Sequence, residues 1–221
     1  MKPILFKDIM VRAILADNKT QTRREKGLQI LNENPNDWRY CATDSRNGEY
    51  IWQHKINTSR LIVLKCPYGQ AGDNLWVREA FKDTDDIGFV PDENTPRYLY
   101  RADDYMNEWK GWTPSIHMPC KASRITLEIV DIRIERLMDI SEQDAIAEGV
   151  EIVSNYEDDS IDFNDPDSYL ARDYCDGDPN ACTDTAIFSF HTLYQSINGI
   201  ESYKKNPWVW VIVFKRKSNE I

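Results

Sequence analysis

The sequence predicts an α+β fold: a small β-barrel with helices packed at its ends. Three observations lead there. Several short segments alternate apolar and polar residues as strands do, and only three show helical periodicity. The large aromatics, seven Trp and eleven Tyr, suit a β-rich core or a base-stacking surface. With 221 residues, 41% of them hydrophobic, the chain can bury one substantial core. It is read as a single domain over 1–221, with inserts at about 28–59 and 151–185.

Residues 9–16 read as a helix, ended by the polar segment 17–24. Residues 28–58 are polar, with Asn34-Pro35-Asn36 and Arg46-Asn47-Gly48 as turn signals. Within and after them, 50–52 and 61–64 look like strands. The turn-rich stretch 66–73 leads into an alternating strand at 75–79, and 98–101 is another. Residues 123–137 place Ile125, Leu127 and Ile129, then Ile132 and Ile134, between polar residues. The slip near Val130 and Asp131 signals a β-bulge. Ser141 is an N-cap and Gly149 a left-handed C-terminal turn for a helix between them. Residues 185–197 form a helix with Phe188, Leu193, Tyr194 and Ile197 toward the core, and Asn206-Pro207 breaks it. The run from Trp208 to Phe214 is the final strand.

The net charge of −10 argues against a nucleic-acid partner until its distribution is considered. Residues 151–185 hold eleven acids and one base, Arg172, while the rest of the chain balances 26 acids with 26 bases. A neutral body can carry a local basic face. The acidic insert reads first as a loosely ordered loop. It also suits repulsion of nucleic acid from one face, or mimicry of nucleic-acid charge toward a basic host protein. Asp158-Asp159 and the stretch 173–178 could hold calcium weakly, but EF-hand spacing is missing.

The five cysteines are irregularly spaced with no Cys-x-x-Cys pair, so reduced thiols are expected. His54, His117 and His191 are far apart in the sequence, and no metal or cofactor is called for. No apolar run reaches membrane-span length, and the first residues lack a signal-peptide core. A cytoplasmic protein is the expectation, in the host cytoplasm if phage-encoded.

The segment Asp17-Asn18-Lys19-Thr20-Gln21-Thr22-Arg23-Arg24 concentrates the chemistry. An amine, two hydroxyls and two guanidiniums fall within six residues. On a helical turn Lys19 and Thr22 would share a face. A lysine beside a hydroxyl can bind phosphate, or act as its base once burial lowers the lysine pKa. A solvated cationic helix end is the plainer alternative, since it suits the helix dipole. Thr20, Arg23 and Arg24 are candidate nucleic-acid or nucleoside contacts, as are Trp76, Arg78 and Glu79. Arginine forks fit phosphate, and Trp76 beside Arg78 offers an aromatic face to a base. The same strand also reads as a core Trp76 with Arg78 and Glu79 pointing to opposite faces. Lys121 and Arg124 read as a solvated or basic rim.

Together these segments resemble the ASCH domain family of the PUA-like superfamily. The matching pieces are Asn18 to Arg24, the run Gly72-Asp73-Asn74-Leu75-Trp76-Val77-Arg78-Glu79, the strand through Ile134, the helix from Ser141 to Gly149, and the last strand to Phe214-Lys215. Ser115-Ile116-His117-Met118-Pro119 and Asn206-Pro207-Trp208-Val209-Trp210 look like its phage and prophage branch. The resemblance implies a PUA-like barrel with a cleft and a role in RNA or nucleoside biology. The bacterial enzymes of the family are amidohydrolases that remove acetyl from N4-acetylcytidine. They use a lysine, a threonine three residues later, and a glutamate on the helix after the central strands. By this resemblance Lys19, Thr22 and Glu148 are catalytic, and Arg24 matches a basic residue two beyond the threonine. This chain is longer than those enzymes and carries inserts.

Hydrolysis of an N-acyl group needs a nucleophile, a proton acceptor and an oxyanion stabiliser. Thr22 is the candidate nucleophile and Lys19 the candidate base, with Glu148 orienting Lys19 or protonating the leaving amine. If the pair is ionised, Lys19 becomes the oxyanion stabiliser and Glu148 the base for water. The implied partner is RNA or a modified nucleoside. The rivals are a non-catalytic reader of RNA or modified DNA, and a phage accessory protein that binds a host factor through the acidic insert.

Overall fold

Segments far apart in the chain build the central sheet. The computed structural model describes residues 1–44, 46–87, 96–103, 110–153, 170–174 and 181–217. The first half contains β1 (Lys2–Leu5), α1 (Asp8–Leu15), β2 (Gln21–Arg24), α2 (Gln29–Asn32), β3 (Trp38–Asp44), β4 (Glu49–His54), β5 (Leu61–Lys65), β6 (Asn74–Arg78), β7 (Phe81–Asp83) and β8 (Tyr98–Tyr100). The second contains β9 (Thr126–Arg136), α3 (Glu142–Ala147), β10 (Ile152–Val153), β11 (Leu170–Arg172), β12 (Cys182–Thr183), α4 (Ala186–Asn198), α5 (Ile200–Lys204) and β13 (Trp208–Arg216).

The five-stranded sheet has the order β1-β6-β9-β13-β2. β13 pairs antiparallel with β9 on one side and β2 on the other. Val209, Trp210, Val211 and Ile212 are fully buried, which fits a central strand covered on both faces. Trp210, Ile212 and Phe214 join Ile4, Leu75 and Leu127 in one core. Val209 and Val211 join Ala145, Phe190 and Leu193 in a second core beneath α3 and α4. The bulge lies where expected: the β9–β13 register shifts between Val213 and Phe214, opposite Val130.

The fold is α+β, mostly sheet with a few helices, but its sheets do not close into a barrel. Among the described residues no backbone ladder joins edges β1 and β2, and closure requires one. A side chain spans that gap instead: Arg24 Nη2 donates to Leu5 O at 2.7 Å. The strands β3-β4-β5 form a sheet of their own. Residues 38–44, taken as polar connection, are strand β3 of this sheet. Its solvated face explains their composition, while Trp38, Tyr50 and Trp52 turn into the core. Tyr50 meets Trp210 edge-on at 4.8 Å, and Trp52 meets Trp208 at 4.7 Å.

Two local expectations change. Residues 21–24 are a strand rather than a helix end, so Lys19 and Thr22 share no helical face. The chain turns at Asp17, in the left-handed region at φ 59°, and then pairs with β13. In α4, Phe188 is exposed and Phe190 takes the core position, in register with Leu193 and Tyr194. That helix stops at Gly199, ahead of Asn206-Pro207. Ser141 caps α3 by accepting from Asp144 N at 3.2 Å, and Thr185 caps α4 by accepting from Phe188 N at 3.2 Å.

The described parts of 151–185 include the small sheet β10-β11-β12. Asp158, Asp159, Asp176 and Asp178, and with them most of the loop and calcium readings, lie outside the described residues. Among the described residues no helix is long and apolar enough to cross a membrane.

Candidate functional site

Lys19 forms an isolated antiparallel bridge with Glu148, and Thr20 N donates to Ala147 O at 2.9 Å. The end of α3 thus lies against the segment that enters β2. Gly149 allows this approach. Its φ is +80°, and a Cβ there would fall 2.8 Å from Lys19 Cβ and 2.9 Å from Ala13 Cβ. Lys19 Nζ donates to Glu148 Oε2 at 2.7 Å and to the Glu148 carbonyl at 2.6 Å. The two side chains are 0% and 3% exposed. Burial pulls the Lys19 pKa below its ordinary value; Glu148 opposes that pull and the nearby arginines add to it.

Alternation along β2 sends Gln21 and Arg23 to the side of α3. Gln21 Nε2 donates to Asp144 O at 2.8 Å. Arg23, itself buried, donates to Glu148 Oε1 and Asp144 Oδ2, each at 3.1 Å, and to Glu135 Oε1. Arg133 closes the network on Asp144 Oδ2 at 2.6 Å and Glu135 Oε2 at 3.2 Å. Burial pushes the Asp144 pKa up, but Arg133 and Arg23 outweigh it and hold the carboxyl below its usual range. Lys19, Arg23 and Arg133 therefore face three carboxylates, and the network is neutral.

A cleft of about 250 Å³ opens beside β2. Thr22, Arg23, Arg24, Glu25, Lys26, Glu148, Tyr68 and Tyr194 line it, with Met10, Phe190 and Leu193 as apolar wall. Thr22 is 2% exposed, and among the described residues its hydroxyl makes no hydrogen bond. Tyr194 donates its hydroxyl to Glu25. The half-buried Arg24 lies over the Phe6 ring, 4.9 Å from its centroid. Burial pulls the Arg24 pKa down, against Tyr68 and Glu148.

A larger cavity, about 720 Å³, lies between α1 and α3; Thr20, Arg12 and Asn18 line it. It contains none of Lys19, Thr22 or Glu148. The smaller cleft, which Thr22 and Glu148 line and buried Lys19 does not, is the better placed for chemistry, and exposed Thr20 is separated from it.

Trp76, Arg78 and Glu79 do not line the cleft. The Arg78 guanidinium covers the Trp76 ring at 5.3 Å and donates to Ile116 O. Glu79, 1% exposed, receives Arg124 through two bonds of 2.9 Å. Arg124 also binds Asp103 and stacks on Tyr100 at 4.0 Å, so it is a paired structural cation rather than a rim charge. Burial raises the Glu79 pKa, against the pull of Arg124. Lys121 is exposed.

Sequence reasoning missed Glu135, Arg133, Asp144, Tyr68 and Tyr194. Two signals were available. Arg133 and Glu135 alternate on one strand face, and Asp144 and Glu148 are four apart on α3. Among the described residues no group of three or more His, Cys, Asp or Glu could hold a metal ion. No family model, curated protein or solved structure matches the chain.

Proposed function

We propose that the cleft beside β2 binds a cytidine-type unit, free or in RNA, and hydrolyses an N-acyl group from its exocyclic amine. The resemblance to the N4-acetylcytidine amidohydrolases, with their PUA-like fold, motivates the substrate class. One observation carries the reading: Glu148, held by buried Lys19, lines the same cleft as the unbonded Thr22 hydroxyl. The volume, about 250 Å³, falls just below the roughly 300–1,000 Å³ of ordinary ligand clefts, which suits one base rather than a longer segment. Tyr68 and Tyr194 supply aromatic surface for it.

In this scheme the Thr22 hydroxyl, or a water in its place, attacks the acyl carbon. A C–O bond forms and the C–N bond breaks. The Lys19–Glu148 pair takes the proton of the nucleophile and returns it to the leaving amine. The lowered Lys19 pKa favours this acceptor role. When Thr22 is the nucleophile, water then releases the acid from the ester. The Arg24 guanidinium in the cleft wall favours the oxyanion.

A second reading, a reader that binds without turnover, draws on the same 2.7 Å ion pair, because a close carboxylate keeps the amine protonated. Acetate release from N4-acetylcytidine separates the two. Turnover by the wild type that is lost in Lys19→Ala, Thr22→Ala and Glu148→Gln supports hydrolysis. Wild-type release no faster than Lys19→Ala removes it and leaves the reader.

A further inference from the structure

Arg24 differs from its neighbour in having no counter-charge. Arg23 has Glu135, Asp144 and Glu148. Arg24 has no salt bridge among the described residues. Among the described residues its one hydrogen bond runs from Nη2 to Leu5 O; its Nε, like that of Arg23, is buried without a partner. A guanidinium carries five N–H donors in a rigid fork, so most of this one is unused. Leaving even a half-buried cation without a bonded counter-ion has a cost, which makes its open donors informative.

The cleft offers Arg24 no anion of its own. Glu148 is bound by Lys19 and Arg23, and Glu25 accepts from Tyr194. Besides Arg23 and Lys26, the cleft adds neutral donors. Thr22 and Tyr68 line it, and among the described residues neither hydroxyl is engaged. The Phe6 ring and the bond to Leu5 fix the plane of the guanidinium.

We infer that Arg24, with Tyr68 and Thr22, makes this cleft a receptor for an anionic oxygen, so that a ligand carrying a phosphate or a carboxylate is held more tightly than the neutral nucleoside. The receptor stands on Arg24 alone; only the choice of a cytidine probe rests on the proposed function.

Calorimetric titration of the full chain with inorganic phosphate, acetate, cytidine and cytidine monophosphate tests this. The expected result is that phosphate or acetate binds the wild type, and that Arg24→Gln weakens it about 10- to 100-fold, the loss of a charge-assisted bond. The better of the two anions identifies the source. Cytidine monophosphate binds more tightly than cytidine, and Arg24→Gln abolishes the difference. Should Arg24→Gln not fold, Tyr68→Phe serves in its place. It keeps the ring and weakens anion binding about 5-fold, while added salt weakens the wild type. Equal anion binding by wild type and variant, or none by the wild type, overturns the inference. Anion binding that depends on Arg24 without any cytidine binding keeps the receptor and removes the nucleoside reading. Cytidine binding that is indifferent to the phosphate and to Arg24 does the reverse.

Discussion

On the α3 side of β2, Arg23 is enclosed by Glu148, Asp144 and Glu135. One residue later, Arg24 meets a phenyl ring and a carbonyl; both arginines border the cleft, but among the described residues no carboxylate bonds Arg24. Both are arginines on one four-residue strand, and the period of two sends them into different surroundings. Arg23 acts as mortar: it neutralises acids brought together by β9 and α3. Arg24 keeps unspent donors and faces a cavity. The Arg124–Glu79 pair sits at the first extreme, with its fork filled by two carboxylates. A cation's role is thus read from what its donors already touch.

The sharpest way to break the comparison is Arg23→Met. It leaves Glu148 and its neighbours short of a cation, and should cost about 3–5 kcal/mol in urea unfolding. A cost comparable to that of Arg24→Gln would mean the two positions do not differ. Gly149→Ala comes next. A left-handed backbone and a contact with Lys19 Cβ should lower stability by about 1–3 kcal/mol in thermal denaturation, and displace the ammonium from Glu148.

Titration gives a third test. The native Lys19 pKa lies below its unfolded value, so the native state loses this proton first. The unfolded chain then binds more protons, and stability attributable to Lys19 rises with pH up to the ordinary value of 10.5. The slope can be at most about 1.4 kcal/mol per pH unit for one proton. Cys66, pushed up to about 11, and Tyr50 and Tyr100, pushed up to about 12, act oppositely at alkaline pH. They cancel in the difference between wild type and Lys19→Met, which should grow in favour of the wild type from pH 7 to 10. A flat difference would place Lys19 at its unperturbed pKa. The smallest effect belongs to Arg24→Gln, whose stability should stay within about 1 kcal/mol of wild type, since a ring contact and one bond are lost but no carboxylate is stranded. A larger loss of stability would make Arg24 a structural residue like Arg23.

Much of this chain could be read from short windows. The cap Ser141, the turn at Gly149, the bulge at Val130 and the strand from Trp208 all depend on neighbours a few residues away. The sequence singled out Lys19, and Glu148 only by resemblance; the two meet at 2.7 Å although 129 positions apart. The tertiary structure decided the rest. It made 21–24 a strand by pairing it with β13, left the five-stranded sheet open, and put Trp52 in the core from a stretch that looked polar. It also decided which arginine would meet carboxylates and which would meet only a ring and a carbonyl. The physical reason is range. Caps, turns and alternation are set by local backbone geometry, whereas pairing, burial and counter-charge are set by groups that only folding brings within a few ångströms.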